Sequence, residues 1–340
     1  MLRVKQDNHT GTRPVARWFR NLAVLISVAL GWSCIKEDIS RCPVPHYFDY
    51  DWVNQVESDA CRGQVHLRLY HESGNCYPYD TPREGTALML AQGRYEVLTF
   101  NDRMQGLTYS GLESSRTATA TVQDVATPEL VTRIEALRQQ QAQAARVWTK
   151  ADNPLIGQAK GFLYWDSIPQ TTVEFAYEKH DTLIPETIGY VLNFHCRFTN
   201  LSMEDADSME VTLSGIVPEV YMLEGQSTGQ ASRTALCETT RESDGFLATL
   251  YVFGFNPDDE YVFEGYIEQT NPDQPPIYVD RDITTIIKDA VEKAEAEGNP
   301  VIDFELELEI KDDGHEPVEG ELMTGMVTVV GWDEVDGGEM

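Results

Sequence analysis

A strict alternation of apolar and acidic residues from Val301 to Ile310 constrains the fold more than any other feature. Apolar side chains stand at every second position of this segment, with Asp or Glu between them. Because side chains alternate between the two faces of a strand, the pattern predicts a β-strand with one buried and one wet face. Residues 190–198 and 209–214 alternate in the same way. Residues 246–255 are apolar almost throughout, which predicts a strand buried on both sides.

Further alternating segments and turn signals extend the strand pattern along the chain. Additional strands are predicted at 65–70, 87–90, 95–100, 116–122, 161–165, 171–177 and 261–267. Gln92-Gly93 predicts a hairpin joining 87–90 to 95–100, and the turn-rich residues 256–259 predict another joining 246–255 to 261–267. Two helices interrupt the strands. One begins at Thr127-Pro128, and the other covers 282–297 and is ended by Gly298.

A short apolar run near the start of the chain predicts export. Residues 22–30 are mostly apolar, follow a segment with five Lys or Arg residues, and lead into Gly31-Trp32-Ser33-Cys34. This arrangement is typical of a cleaved signal peptide, since a membrane span needs about 20 apolar residues. Cysteine as the first mature residue predicts lipidation of Cys34, as in bacterial lipoproteins. Ordinary secretion, with Cys34 as one more thiol, is the alternative.

The residues that follow Cys34 indicate a destination. Lys36, Glu37 and Asp38 resemble the lysine-plus-two-acids signal that sends lipoproteins of certain gut and oral anaerobes to the outer face of the outer membrane. A solvated linker is the alternative interpretation. Acyl chains contribute about 0.8 kcal/mol per buried CH2, so an acylated cysteine anchors a protein without a transmembrane helix. We therefore expect a lipid-anchored, surface-exposed protein of the outer membrane.

Chain length and element spacing predict two domains in the mature protein. We expect a signal peptide at 1–33, a lipidated tether at 34–45, and two β-sandwich domains at 46–180 and 181–340. Many strands separated by turns, with few helices, are typical of sandwiches. The predicted fold class is mostly β, with short helical insertions.

The charge of the chain excludes one class of partner. The formal net charge is −30, and removal of residues 1–33 takes away five basic residues and one acidic residue, leaving −34. So acidic a surface repels phosphate backbones and anionic lipid head groups. We therefore expect no nucleic-acid partner.

Five cysteines besides Cys34 leave the disulfide pattern open. Export permits disulfides, but an odd number leaves at least one thiol free or paired between chains. Cys61 with Cys76, or Cys196 with Cys237, would each close a loop. Cys196 lies on the apolar face of a predicted strand, so a buried free thiol is an equal interpretation. The five are Cys42, Cys61, Cys76, Cys196 and Cys237.

The sequence predicts neither an enzyme nor a cofactor. It lacks a GxSxG elbow, an HExxH helix and a phosphate-binding glycine loop, and no Cys or His spacing suits zinc. Acidic clusters at 204–207, 258–260 and 312–316 offer oxygen ligands for Ca²⁺ but lack the order of an EF-hand loop, so solvated turns are the favoured interpretation. Exposed tyrosines and Trp165 would stack on sugars or pack in a core.

The start of the mature chain carries a family resemblance. Cys34-Ile35-Lys36-Glu37-Asp38-Ile39-Ser40-Arg41-Cys42-Pro43 resembles the opening of the fimbrillin-associated anchor lipoproteins, the FimB-type family of type V pili. Gly93-Arg94-Tyr95-Glu96-Val97 is similar to a strand common in transthyretin-like fimbrial sandwiches. The segment 301–310 and the ending Gly331-Trp332-Asp333-Glu334-Val335 are similar to related surface lipoproteins.

The resemblance implies both a fold and a role. The fold would be two tandem transthyretin-like Greek-key sandwiches behind a lipid on Cys34. The role would be an anchor or accessory subunit of a fimbria in cell adhesion, which pairs with shaft subunits by β-strand addition at an open sheet edge of the second domain. The rival hypothesis is a surface lipoprotein that binds glycan or host protein and has no part in a pilus.

Overall fold

A computed structural model describes residues 42–56, 63–101, 104–124, 132, 136, 155–157, 159–175, 178–274, 276–310 and 323–331. The predicted signal peptide, the residues around Cys34 and most of the helix predicted from Thr127 lie outside the described residues. Among the described residues, no helix is both long and apolar enough to cross a membrane.

Short strands make up most of the first half of the chain. They are β1 (Val44–Tyr50), β2 (Val65–His71), β3 (Cys76–Thr81), β4 (Gly85–Leu90), β5 (Gly93–Asn101), β6 (Leu107–Ser110), β7 (Thr119–Val122), β8 (Leu155–Ile156), β9 (Tyr164–Val173), β10 (Lys179–Leu183) and β11 (Glu186–Thr187).

The second half has longer strands and a helix. They are β12 (Tyr190–Phe198), β13 (Ala206–Ile216), β14 (Glu219–Tyr221), β15 (Gln226–Ser227), β16 (Arg233–Leu236), β17 (Glu238–Arg241), β18 (Gly245–Val252), β19 (Val262–Gln269), β20 (Ile277–Asp282), α1 (Thr284–Glu297), β21 (Val301–Ile310) and β22 (Met323–Gly331).

The described strands form four sheets. Their orders are β10-β1-β4, β11-β9-β5-β2-β3, β17-β18-β12-β21-β22-β20-β19-β13-β16-β8 and β15-β14-β7-β6. The predicted mostly β class is confirmed. The transthyretin-like Greek-key topology stays a prediction.

Strand β5 separates two apolar cores. Tyr95 and Val97 face a smaller core shared with β1, β2 and β10, whereas Leu98 and Phe100 belong to a larger core that reaches through the ten-stranded sheet. Since successive side chains point to opposite faces, a strand with a core on each side is apolar at nearly every position. In β5 the residues from Val97 to Asn101 are all buried, and Val97, Leu98 and Phe100 supply apolar side chains to the two faces. The five-stranded sheet is therefore a shared wall between the two cores.

The two strongest sequence signals are found where they were predicted. In β21 the apolar positions from Ile302 to Leu308 are buried, and the acidic residues between them are more exposed. Helix α1 covers 284–297, with Ile287, Ala290 and Ala294 buried, and Gly298 ends it at φ 69°. That left-handed conformation is one that glycine adopts without steric cost.

Both predicted hairpins are wrong. Strand β4 pairs with β1, and β5 pairs with β2 and β9. Likewise β18 pairs with β12 and β17, whereas β19 pairs with β13 and β20. The first turn leads the chain into another sheet, and the second leads it to a distant position in the same ten-stranded sheet. The two strands predicted at 161–165 and 171–177 are one strand, β9, with an irregularity in its register with β5.

The two halves of the chain share sheets. Strand β8 pairs with β16, and β7 pairs with β14, so parts of the first half complete sheets of the second. Strand β10 pairs with β1 and spans residues 179–183, so the domain boundary predicted between 180 and 181 falls inside a strand. The division into domains at 46–180 and 181–340 stays a prediction.

Candidate functional site

The described chain begins close behind the predicted lipid site. Cys34, Lys36, Glu37 and Asp38 lie outside the described residues, and Cys42 is the first residue described, with an exposed side chain. Cys42 lies eight positions after Cys34, so a fully extended tether would span at most about 28 Å. A lipid on Cys34 would therefore hold the folded part close to the membrane surface.

The tether leads directly into a strand that is held on both sides. Strand β1 pairs in parallel with β10 and antiparallel with β4. Val44, Phe48 and Tyr50 of β1 are buried in the smaller core. A load on the amino terminus would thus act on two ladders of hydrogen bonds and on buried apolar side chains at once.

A polar cluster lies beside β1 at the edge of this core. His46 is fully buried, and its Nε2 lies 2.8 Å from Oδ2 of Asp181. The same carboxylate oxygen accepts a hydrogen bond of 2.6 Å from Thr171 Oγ1, and Lys179 Nζ lies 3.4 Å from Oδ1. Lys179 also donates to Thr171. The cluster joins β1, β9 and β10.

Burial and hydrogen bonding shift both acid-base groups of this cluster. Burial lowers the pKa of His46 below its usual 6.5, although the hydrogen bond to Asp181 acts to raise it. Burial would raise the pKa of Asp181, but hydrogen bonds from Thr171 and His46, with the charge on Lys179, outweigh it and lower that pKa. A neutral imidazole that donates to a carboxylate is the favoured state at neutral pH.

The edge strands β17 and β4 differ in how well they are protected against pairing with another strand. Strand β17 ends the ten-stranded sheet, but it is short and has a charged residue at each end. Glu238 pairs with Lys160 at 2.6 Å, and the Arg241 guanidinium donates to the carbonyls of Met203, Ala206 and Asp207. Short strands and charges are the usual protection of an edge against pairing.

Strand β4 lacks this protection. Its sequence Gly85-Thr86-Ala87-Leu88-Met89-Leu90 carries no charge, and Met89 is 63% exposed. Among the described strands only β1 pairs with β4, so within this part of the chain its other edge has no paired strand. From the sequence we predicted a strand at 87–90 but placed it in a hairpin with 95–100. The absence of charged residues from 85 to 90 was the signal that could have indicated an edge strand.

The described cysteines are free thiols. Cys196 and Cys237 are both buried, and burial raises the pKa of each thiol. Cys76 is half-buried and donates to the carbonyl of Leu112 at 3.3 Å. The interpretation of Cys196 as a buried free thiol therefore holds. Cys61 lies outside the described residues, and its pairing stays open.

No group of three or more His, Cys, Asp or Glu side chains in the described part of the chain is arranged to hold a metal ion. The acidic turns at 204–207 and 258–260 belong to that part, whereas 312–316 lies outside it. Asp259 Oδ2 accepts hydrogen bonds from Ser232 and Asn256, which fix the second of these turns in place.

Comparison with known families and sequences gives one match. A family model described as a domain of unknown function, DUF5119, matches residues 34–238. The match begins at Cys34 itself. No curated protein matches the sequence.

Solved structures resemble this fold at low sequence identity. A candidate adhesin from Bacteroides ovatus is 14% identical, with a TM-score of 0.54 over 73% of this chain and 85% of its own. A candidate polysaccharide-binding protein (DUF1812) from Bacteroides thetaiotaomicron is 8% identical, with a TM-score of 0.51 over 86% and 98%. These two likenesses show a shared fold.

A third solved structure is similar with a lower TM-score. The fimbrial anchor protein Mfa2 from Porphyromonas gingivalis is 11% identical, with a TM-score of 0.48 over 86% of this chain and 98% of its own.

Proposed function

This chain belongs to the family described as a domain of unknown function, DUF5119, and we propose that it anchors or initiates a fimbria as an outer-membrane lipoprotein. The observation that carries the proposal is the lipid-site motif at Cys34, followed after a short tether by a strand held between two others. The proposed role is mechanical and not catalytic: the lipid on Cys34 attaches the protein to the membrane, and the folded part binds a partner subunit.

Three residues would direct the protein to the outer face of the membrane. Lys36, Glu37 and Asp38 stand directly behind Cys34, where a sorting signal for lipoproteins must lie. The strongly acidic folded part would be repelled by anionic lipid heads, which favours a body that projects away from the membrane.

The partner would be a fimbrial shaft subunit, held by β-strand addition at β4. In this mode an extended segment joins a sheet edge, so backbone hydrogen bonds supply affinity and side-chain pockets supply specificity. The sequence suggested an edge in the second half. We favour β4 because β17 is short, charged and covered at Arg241, whereas β4 is uncharged and exposes Met89.

Lipid anchoring is tested by Cys34→Ala, with Cys42→Ala as the matched control. We expect the Cys34 variant to leave the membrane fraction and to stop incorporating radiolabelled palmitate, because no other anchor is proposed. The Cys42 variant should behave as wild type. Retention of the Cys34 variant in the membrane, or palmitate on it, would contradict the proposal.

Surface exposure is tested separately from anchoring. A triple alanine substitution of Lys36, Glu37 and Asp38 should keep the protein in the outer-membrane fraction but remove it from the reach of protease added to intact cells. If the variant is digested as fast as wild type, these residues do not direct export to the surface.

Strand addition is tested by Met89→Lys, with Val53→Lys as control. Both side chains are exposed, at 63% and 71%, but only Met89 lies on the open edge. A lysine on an edge strand opposes pairing, so we expect Met89→Lys to reduce capture of fimbrial subunits about tenfold or more. Val53→Lys should leave capture unchanged, and equal capture by both variants would exclude β4 as the pairing edge.

A further inference from the structure

A cavity of about 660 Å³ lies where the two halves of the chain meet. Its walls come from β9, the link between β11 and β12, the turn between β14 and β15, the loop between β18 and β19, and α1. Neither strand pairing nor the proposed anchoring role uses it. Its volume lies within the usual range of small-molecule binding sites.

Aromatic rings form much of its wall. Trp165, Tyr190 and Phe255 are half-buried, and Tyr261 is buried with its ring centre 4.8 Å from that of Phe255. Gly225 lies in the turn opposite Trp165 at φ 65°, and a β-carbon there would come within 3.2 Å of the indole ring. The glycine therefore lets the turn lie against the flat face of the tryptophan.

Polar groups lie among these rings. Glu295 Oε1 accepts a hydrogen bond of 2.7 Å from the Tyr190 hydroxyl, and Glu224 and Glu292 also line the cavity. Lys288 donates to the carbonyl of Pro257 at 2.9 Å, and its Nζ lies 5.5 Å from the centre of the Tyr261 ring. Its charge is thus already engaged within the protein.

One donor in the wall has no acceptor. The indole Nε1 of Trp165 is buried and makes no hydrogen bond within the part of the chain that the structure describes. A buried N–H without a partner is costly, and a ligand oxygen that accepts from it removes that cost. The ligand group that meets this donor must be an acceptor such as an oxygen, because ammonium and guanidinium groups have no lone pair with which to accept a hydrogen bond.

A second cavity of about 600 Å³ adjoins the first. The two share Thr187, Gly189, Tyr190 and Glu295, and the second is lined by the amides Asn54, Gln55 and Asn299. Amides and carboxylates can each bond a hydroxyl group. The two adjoining cavities, together called the groove below, are aromatic at one end and rich in amides at the other.

We propose that this groove binds a neutral oligosaccharide. Flat aromatic faces suit the apolar faces of sugar rings, hydroxyl groups donate to Glu224 and Glu295, and a sugar oxygen accepts from Trp165 Nε1. Anionic glycans are disfavoured by the formal net charge of −30 and by the carboxylates of the wall. The basic side chains of a peptide would pair with the carboxylates of the groove but could not accept a hydrogen bond from Trp165 Nε1.

The test titrates the full mature chain with short gluco-, manno-, galacto- and xylo-oligosaccharides by calorimetry, with a polylysine peptide as the competing probe. We expect one neutral series to bind, with an affinity that does not change between low and high salt, because an uncharged ligand is not screened. Trp165→Phe should weaken binding about threefold to tenfold by removing the indole donor.

A matched pair of variants locates the site on α1. Glu295→Gln removes the carboxylate in the groove, whereas Glu297→Gln changes a residue that pairs with Lys293 at 3.9 Å and does not line either cavity. We expect weaker binding, by roughly tenfold, only for Glu295→Gln. Circular dichroism of each variant confirms that the fold is retained.

Three results would overturn the proposal. The first is that no neutral oligosaccharide binds the folded protein at millimolar concentration. The second is that binding occurs but is unchanged in Trp165→Phe and Glu295→Gln, which would put the sugar elsewhere. The third is salt-sensitive binding of the basic peptide alone. None of these results bears on anchoring through Cys34, which has its own readout.

Discussion

Two carboxylates of the molecule have different surroundings: Asp181 is half-buried beside the smaller core, and Glu264 is buried within the ten-stranded sheet. Beside the smaller core, Asp181 contacts His46, Thr171 and Lys179. On the face of β19 turned away from the larger core, Glu264 accepts hydrogen bonds from the Thr212 and Tyr278 hydroxyls at 3.0 and 3.1 Å. Only the first set includes a histidine, whose usual pKa lies near neutral pH, whereas hydroxyl groups do not titrate there. We therefore expect His46 to make the stability of the smaller core, which lies nearest the tether, depend on pH.

The cores also differ in what fills them. The larger contains stacked aromatic rings at its centre, with Phe194 stacked on Phe304 at 5.0 Å between ring centres and Phe263 at 5.4 Å. The smaller mixes Phe48, Leu67 and Leu69 with buried hydrogen-bonding groups. We therefore expect truncation of an apolar side chain to cost most in the larger core, and polar substitutions to have their effect in the smaller one.

The largest expected effect is that of Phe194→Ala. This side chain is fully buried between two other aromatic rings, so its loss should reduce the free energy of unfolding by about 3–5 kcal/mol through lost burial and a residual cavity. Urea unfolding followed by tryptophan fluorescence measures it. Phe175→Ala, at a position 45% exposed, is the control and should change stability by less than about 0.5 kcal/mol. Equal losses in both variants would contradict the assignment of the core.

Asp181→Ala should have the next largest effect. It removes the acceptor of His46 and Thr171 and leaves a fully buried imidazole without that partner, at a cost of about 1–3 kcal/mol. The control is Asp80→Ala, since Asp80 also pairs with a histidine, His66, at 2.7 Å, but with its side chain 55% exposed. Exposed pairs contribute little, so this control should lose at most about 1 kcal/mol. If Asp80→Ala lowers the free energy of unfolding as much as Asp181→Ala does, burial does not make the His46–Asp181 pair more stabilising than the His66–Asp80 pair.

The smallest effect is the pH dependence carried by His46. Because its pKa is lower in the folded protein than its usual 6.5, the unfolded chain takes up the proton more readily. Stability should therefore fall as the pH drops below about 6.5, with a slope of at most about 1.4 kcal/mol per pH unit for one histidine. The lowered pKa of Asp181 adds a further loss only in more acidic solution, below its usual 3.8.

His46→Gln isolates this contribution. Glutamine keeps a donor for Asp181 but does not titrate, so the variant should lose less stability than wild type between pH 7.5 and 5.5 in denaturant unfolding. Parallel stability curves for the two proteins would show that another group carries the pH dependence.

Much of the secondary structure could be predicted from local sequence. The alternation in β21 and β12, and the apolar face and glycine stop of α1, are periodic signals within one element, so no distant partner is needed to interpret them. The lipid-site motif at Cys34 is local as well. For these features, neighbouring residues carry the information.

The pairing of the strands could not be predicted in this way. Gln92-Gly93 marks a turn, but the turn residues do not say which sheet the next strand joins, and β4 pairs with β1 about 40 residues earlier. The His46–Asp181 pair joins residues 135 apart in the chain. No local pattern signals such a contact, because it arises only when β1 and β10 lie side by side.

The sequence by itself determined that this chain is built of strands, that one helix ends at Gly298, and that Cys34 is the candidate lipid site. Only the tertiary structure decided which edge is open, which carboxylate is buried beside a histidine, and which aromatic residues meet in a groove. The physical reason is that periodicity records which side of an element avoids water. Which element covers that side depends on the free energy of packing the whole chain.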